Sequence, residues 1–305
     1  MTETERIQKL QRPHGKIDLV LDTDAFNEID DQFAIAYMML LGEKFSPKAI
    51  MAAPFFNARS TGPADGMEKS YQEILNLLKL MGREDFAPQV FRGSKEYLPD
   101  EHTPVDSPAA RRLVELAREY SPEHPLYVAA IGAITNVASA ILMEPSIVER
   151  IVLVWLGGHA RHWPDNKEFN LHQDIAAARV VFGCGVPLVQ LPCMGVVSEL
   201  RTTKPELAYW LKGKNALCDY LYAHTCEEAE SYAAGKPWSR VIWDISVLAF
   251  LADEEGWLVK DCCLPATIPE YGGHWAFDMT RHSMGYVWQV NRDAIFEELF
   301  TLLAK

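Results

Sequence analysis

Ile17-Asp-Leu-Val-Leu21 leads without a break into Asp22-Thr-Asp24-Ala-Phe-Asn-Glu28-Ile-Asp30-Asp31, and these residues decide the fold. The first five, apolar apart from Asp18, have the length and the Ile/Val/Leu content of a buried strand. Beyond the acids, Phe33, Ala34, Ala36, Tyr37, Leu40 and Leu41 recur at helical spacing, so a helix is expected to begin near Glu28–Asp31. The carboxylates Asp22, Asp24, Glu28, Asp30 and Asp31 therefore fall on a strand-to-helix turn, where open α/β sheets bind their ligands. Helix capping accounts for one or two of them. It leaves Asp22 and Asp24 unexplained, because they stand at a strand end with no helix of their own. Carboxylates crowded into one turn repel one another unless a cation lies between them. A hard, oxygen-binding ion such as Ca²⁺ or Mg²⁺ suits them.

The strand-then-helix alternation continues along the chain. Strands are expected at Ala49 to Phe56, ending at Asn57, then at Val90-Phe91, Leu126 to Ile131, Ile151 to Leu156 and Pro187 to Leu191. Helices are expected at Glu68 to Leu80, Ala109 to Tyr120, Thr135 to Leu142 and Gln173 to Phe182, with a Pro-rich, charged loop from Lys95 to Pro108. Further on the alternation weakens. Pro205 to Leu211, Ala216 to Ala233, Trp243 to Ala252 and Asp293 to Ala304 read as helices, and Tyr286 to Val290 as a late strand. This predicts an α/β fold: a mainly parallel, doubly wound sheet flanked by helices, with a mostly helical C-terminal part. Right-handed crossovers bring the strand ends at Asp24, Asn57, Ile131 and Gly157 to one edge.

Composition narrows the function classes. The chain of 305 residues is 49% hydrophobic and 23% charged, which fits a globular protein with a sizeable core. A net charge of −13 argues against a nucleic-acid partner, since phosphate binding needs a basic surface. No apolar run approaches a membrane span. Residues 1–15 are polar, read as a tail, and lack the apolar core of a signal peptide. The six cysteines show no C-x-x-C pair, and adjacent Cys262 and Cys263 would strain a mutual disulfide, so reduced thiols and a cytoplasmic location are expected.

Five motifs in order give the chain a resemblance to the nucleoside hydrolases, the inosine/uridine-preferring and purine-preferring N-ribohydrolases. They are Asp22-Thr-Asp24 with Asp30-Asp31, Asn57 after the second strand, Ala130-Ile131-Gly132-Ala133-Ile134-Thr135-Asn136, Gly157-Gly158 with Glu168-Phe169-Asn170 and Asp174, and Trp243-Asp244. The resemblance implies a single domain over residues 1–305 and hydrolysis of a ribonucleoside to ribose and free base. It also implies a Ca²⁺ held by Asp24, Asp31, the carbonyl of Ile131 and Asp244, with Asp24 as general base and Asp22 supporting the ligands from behind. Asp30, Glu168, Asn170 and Asp244 are the expected ribose contacts, with Asn57 orienting water or sugar. Assembly as a homodimer or homotetramer is a further expectation from the resemblance.

Three features depart from the family pattern. The Asp24-to-Asp30 loop is two residues longer than the usual turn and lacks its Pro-Gly. Where the family places an Asn on the 5′-hydroxyl, this chain offers His162 or, out of register, Asn166. Trp243 replaces a His that many pyrimidine-accepting members carry, which slightly favours purine bases through stacking; packing at a helix start is the equal alternative. His102, His274, Trp163, Trp275, Arg281 and His282 are weaker candidates in loops and late segments, and Thr135-Asn136 is read as a helix cap. A ribose- or nucleoside-binding protein with little turnover, a hydrolase of a modified ribosyl substrate, and an aspartate-nucleophile phosphatase are the rival readings.

Overall fold

A computed structural model describes residues 1–305. In chain order the strands are β1 (Ile17–Thr23), β2 (Phe45–Ala52), β3 (Val90–Arg92), β4 (Leu126–Ala130), β5 (Ile151–Leu156), β6 (Leu188–Leu191), β7 (Arg201–Thr202), β8 (Arg240–Val241), β9 (Val259–Pro265), β10 (Ile268–Pro269), β11 (Trp275–Ala276) and β12 (Ser283–Val290). The helices are α1 (Glu3–Lys9), α2 (Asp31–Leu40), α3 (Pro63–Leu80), α4 (Pro108–Arg118), α5 (Thr135–Met143), α6 (Phe169–Gln173), α7 (Ile175–Gly183), α8 (Lys204–Trp210), α9 (Ala216–Ala233), α10 (Ile245–Ala252) and α11 (Arg292–Leu303).

Eight strands make one sheet in the order β3-β2-β1-β4-β5-β6-β12-β9. Every neighbouring pair is parallel except β12 with β9, so the sheet is doubly wound as expected. The chain runs outward from β1 to β3, then returns to the other side of β1 at β4. That reversal opens a crevice at the carboxyl ends of β1 and β4. Alternation along β1 shows both faces buried. Leu19 and Leu21 join the core beneath α2, α3, α10 and α11, while Val20 joins the core beneath α4, α5 and α7. Truncating such a fully buried Leu to Ala would cost about 2–5 kcal/mol.

The structure corrects several boundaries. The second strand covers Phe45–Ala52 rather than Ala49 to Phe56: Phe45 pairs with Ile17, Ala52 pairs with Thr23, and Pro54, which has no N–H, follows the ladder. The helix expected at Gln173 to Phe182 is two, split at Asp174, whose carboxylate accepts from Ala177 N–H and caps α7. Residues 1–15 are not a tail. A capping box between Thr2 and Glu5 starts α1, which buries Arg6. Strand β9 is an addition to the expected elements: as an edge strand it needs no continuous apolar run, and Lys260 and Cys263 are exposed. All six cysteines are unpaired. No helix is long and apolar enough to cross a membrane.

Candidate active site

The crevice holds a cavity of about 260 Å³, just below the ~300 Å³ at which most small-molecule sites begin. Its acidic side comes from the turn after β1 (Asp24, Asn27, Glu28, Asp30, Asp31) and from Trp243 and Asp244 ahead of α10. Its other side comes from the ends of β4 to β6: Ile131, Leu156, His159, Cys193 and Met194, joined by Lys167, Glu168, Phe169 and Asn170.

Asp24 stands one residue past β1 and is 1% exposed, yet neither of its carboxylate oxygens has a hydrogen-bond partner. Gly132 lets the backbone come this close, for a Cβ there would lie 2.9 Å from Asp24 Oδ1. Asp30, Asp31 and Asp244, all buried, bring carboxylate oxygens within 4.8 Å of one another. Asp30 occupies the N-cap position of α2 but its side chain makes no capping bond; it accepts instead from Trp243 N–H at 3.0 Å. Asp31 accepts from the Thr23 hydroxyl. Capping therefore does not explain these acids.

Burial raises every one of them. It lifts Asp24 well above the usual carboxylate range, helped by the charges of Asp31 and Asp30. It does the same to Asp30 and to Asp244, against the pull of Arg240 on Asp30. Asp31 rises to about 6, because hydrogen bonds from Thr23 and Asp244 offset part of the burial. Four buried acids that cannot all ionise beside one another form a set of oxygen donors whose chemistry suits a hard cation. The closest triad is Asp30, Asp31 and Asp244, whereas Asp24, Asp31 and Asp244 were the expected ligands; Asp24 faces the same cavity with both oxygens free.

The opposite wall is built differently. Glu168 accepts from the N–H groups of Gly158, Asn170 and Leu171 at 2.8–2.9 Å, which offset part of the rise that burial gives it. Asn170 donates both of its amide hydrogens, to the carbonyls of Ile131 and Leu156 at 3.1 and 3.0 Å, so only Oδ1 is left to face a ligand. The Ile131 carbonyl keeps one lone pair for another partner. Asp22 is buried behind the site, lifted to about 7 by burial and holding the Asn136 amide at 2.8 Å. Asn136 also bonds Ser94 N–H and the Ala52 carbonyl, and Thr135 bonds Asp174; neither caps α5. Asn136 thus joins β1 and β2 to the loop after β3, while Thr135 ties α5 to the junction of α6 and α7.

Two expected contacts do not line the cavity. Asn57 donates to Asn27 Oδ1 at 2.6 Å, and it is Asn27 that reaches the wall. His162 is exposed beside Gly195, and Asn166 is buried with its Oδ1 on His159 N–H. Of the weaker candidates, His102 and His274 are exposed, Trp163 packs edge-on to His159, Trp275 donates to the His159 carbonyl, and Arg281 bonds carbonyls of Phe182 and Thr267. His282 faces Arg6 and Arg281 away from the cavity. Sequence reading missed Asn27, His159, Lys167, Cys193 and Met194. Cys193 and Met194 follow the end of β6, so the rule that ligands gather at strand ends was the signal for them.

Similarity to known proteins agrees with this geometry. The family model described as inosine-uridine preferring nucleoside hydrolase matches residues 19–281. Over 194 residues the chain is 27% identical to a pyrimidine-specific ribonucleoside hydrolase, RihA, of Shewanella woodyi, covering 56% of this chain and 58% of that protein. The chain thus spans little more than half the length of the curated relatives it matches. Its fold matches a plant nucleoside hydrolase, PpNRh1, with a TM-score of 0.73 and 19% identity over 94% of this chain and 99% of that one. It matches a purine-preferring ribonucleoside hydrolase from Gardnerella vaginalis with a TM-score of 0.73 and 17% identity over 94% and 98%. Matched over most of its length by the family model, and carrying the acid turn at the expected strand end, the chain belongs to the inosine-uridine preferring nucleoside hydrolase family.

Proposed function

We propose that the chain hydrolyses the N-glycosidic bond of a ribonucleoside to ribose and a free base, with a purine slightly favoured. The observation that carries the proposal is Asp24, a buried carboxylate with two unpartnered oxygens facing a cavity that also holds Asp30, Asp31 and Asp244. An all-oxygen donor set of this kind fits Ca²⁺, with Asp24, Asp31, Asp244 and the Ile131 carbonyl as its holders. When bound, such a cation orients sugar hydroxyls and makes a water more acidic.

The chain's own residues then divide the work. Asp24 accepts the proton of the attacking water at its free carboxylate oxygen. The water oxygen bonds to the anomeric carbon as the bond to the base nitrogen breaks, and the electron pair leaves with the base. Asp30 and Asn170 Oδ1 accept from ribose hydroxyls, and the surrounding acids favour the oxocarbenium-like charge of the transition state. Glu168, its acceptor sites largely taken by backbone amides, fixes the loop that carries Asn170. Trp243, half-buried in the wall, supplies an apolar face for the base.

The test is release of free base and reducing sugar from inosine, adenosine, guanosine, uridine and cytidine, with Ca²⁺ or with chelator. Chelator-sensitive release, faster from purines, is the expected result. Release from uridine alone would remove the purine preference, and silence across the panel with intact ribose binding would replace the enzyme by a binding protein.

A further inference from the structure

The two extra residues in the acidic turn put Asn27 on the cavity wall, and nothing in the family motifs assigns it a role. Its backbone is pinned, with Asn27 N–H donating to the Asp24 carbonyl at 2.7 Å. Its side chain has one partner. Asn57 Nδ2 donates to Asn27 Oδ1 at 2.6 Å, and Asn27 Nδ2 makes no hydrogen bond within the protein. That nitrogen is also not buried out of reach, and Asn27 lines the cavity.

The direction of both amides follows from a backbone group. Arg59 N–H donates to Asn57 Oδ1 at 2.8 Å, and a backbone N–H can only donate. Asn57 must therefore turn Oδ1 toward Arg59 and Nδ2 toward Asn27. Asn27 must then answer with Oδ1, which leaves Nδ2 without a protein partner on a side chain that lines the cavity. The carboxylates on the acidic side of the cavity, Asp24, Glu28, Asp30, Asp31 and Asp244, only accept when ionised, which leaves Asn27 and the indole N–H of Trp243, the residue set against the base, as the side-chain donors there. A ribose hydroxyl that donates its hydrogen to one of those acids still carries oxygen lone pairs that need a donor.

We propose that Asn27 is the neutral hydrogen-bond donor to a ribose hydroxyl oxygen, and that Asn57 is a positioning residue that sets the Asn27 amide without touching the sugar. The assignment rests on the ribohydrolase reading above, and it moves the sugar-side role expected of Asn57 onto a residue of the lengthened turn.

The experiment is ribose affinity by calorimetry at saturating Ca²⁺ for the wild type, Asn27→Ala, Asn57→Ala, the double variant and Asn57→Asp. Thermal unfolding checks each fold, with Asn27→Ser as a second variant should Asn27→Ala fail to fold. Asn27→Ala is expected to lose about 10-fold, the scale of one hydrogen bond. The double variant should lose no more than Asn27→Ala. Asn57→Asp should be worse than Asn57→Ala, because its carboxylate accepts from both Arg59 N–H and Asn27 Nδ2 and so reverses the Asn27 amide. A direct role for Asn57 gives multiplying losses in the double variant and a milder Asn57→Asp, and either result overturns the assignment, as does an unaltered Asn27→Ala. A wild type that neither binds ribose nor releases base defeats the underlying reading and the assignment with it. Ribose binding with independent losses defeats the assignment alone.

Discussion

Two sets of buried carboxylates stand at this site, Glu168 on the cavity wall with Asp174 outside its lining, and Asp24, Asp30, Asp31 and Asp244 all on the wall, and they differ in what satisfies them. Glu168 and Asp174 are met by the protein itself: Glu168 by three backbone N–H groups, Asp174 by Leu98 N–H, Ala177 N–H and the Thr135 hydroxyl. Asp24 has nothing, Asp30 has one backbone N–H and Asp31 one hydroxyl, and Asp30, Asp31 and Asp244 crowd their oxygens within 4.8 Å of one another. A carboxylate that the fold satisfies is a piece of scaffold. One that the fold buries and leaves unmet is a place prepared for something else, because desolvation without compensation is otherwise selected against.

The comparison breaks most visibly at Asp24. Asp24→Asn is expected to lower base release by at least about 10³-fold, roughly 4 kcal/mol of barrier, while stabilising the metal-free protein by about 1–3 kcal/mol. Rate assays and chemical denaturation in chelator read both; a destabilised variant would mean that the fold does use this charge. Asp174→Ala should do the reverse, losing about 3 kcal/mol of stability through three stranded donors with ribose affinity unchanged in the folded fraction.

Ca²⁺ addition sharpens the contrast further. At about 100 times its Kd the ion should raise the unfolding free energy by about 2.7 kcal/mol, and Asp31→Asn should abolish the gain where Asp174→Ala should not. A smaller effect comes from a base treated as these acids are. Burial, with Arg6 and Arg281 beside it, pushes His282 down to about 4. The unfolded chain then binds the extra proton first, so stability from this group is whole above pH ~6.5 and is lost as pH falls toward 4. His282→Gln should flatten that part of the pH–stability curve by about 1 kcal/mol, since the ring is only half-buried.

Much of this was legible in the sequence. The acid turn, the strand Ile151–Leu156 and the helix Ala216–Ala233 follow from apolar spacing, and the motif order placed Asp24, Asp30, Asp31, Ile131, Asn170, Trp243 and Asp244 around one cavity. Side-chain wiring was not legible. Nothing local says that Asn57 spends its amide on Asn27, or that Glu168 spends its carboxylate on Gly158, because those bonds join separate loops. The N-terminal helix was missed although Thr2-x-x-Glu5 spells a capping box, a signal outweighed by the polarity around it. Edge strand β9 was hidden for a different reason: only Val259 of its seven residues is fully buried, so its hydropathy resembles a loop.

The hydrogen bond from Trp243 N–H to Asp30 also has a meaning in time. A chain under synthesis carries the acid turn long before it carries β8 and α10, and until they arrive neither Asp244 nor that N–H can join the cluster. The repulsion within the turn is thus present from the first strand–helix unit, while its partners come with the last third of the polypeptide. Closure of so long a loop is slow, as high contact order requires. The complete acid cluster is consequently assembled late, once the last third of the chain has docked on the first strand–helix unit.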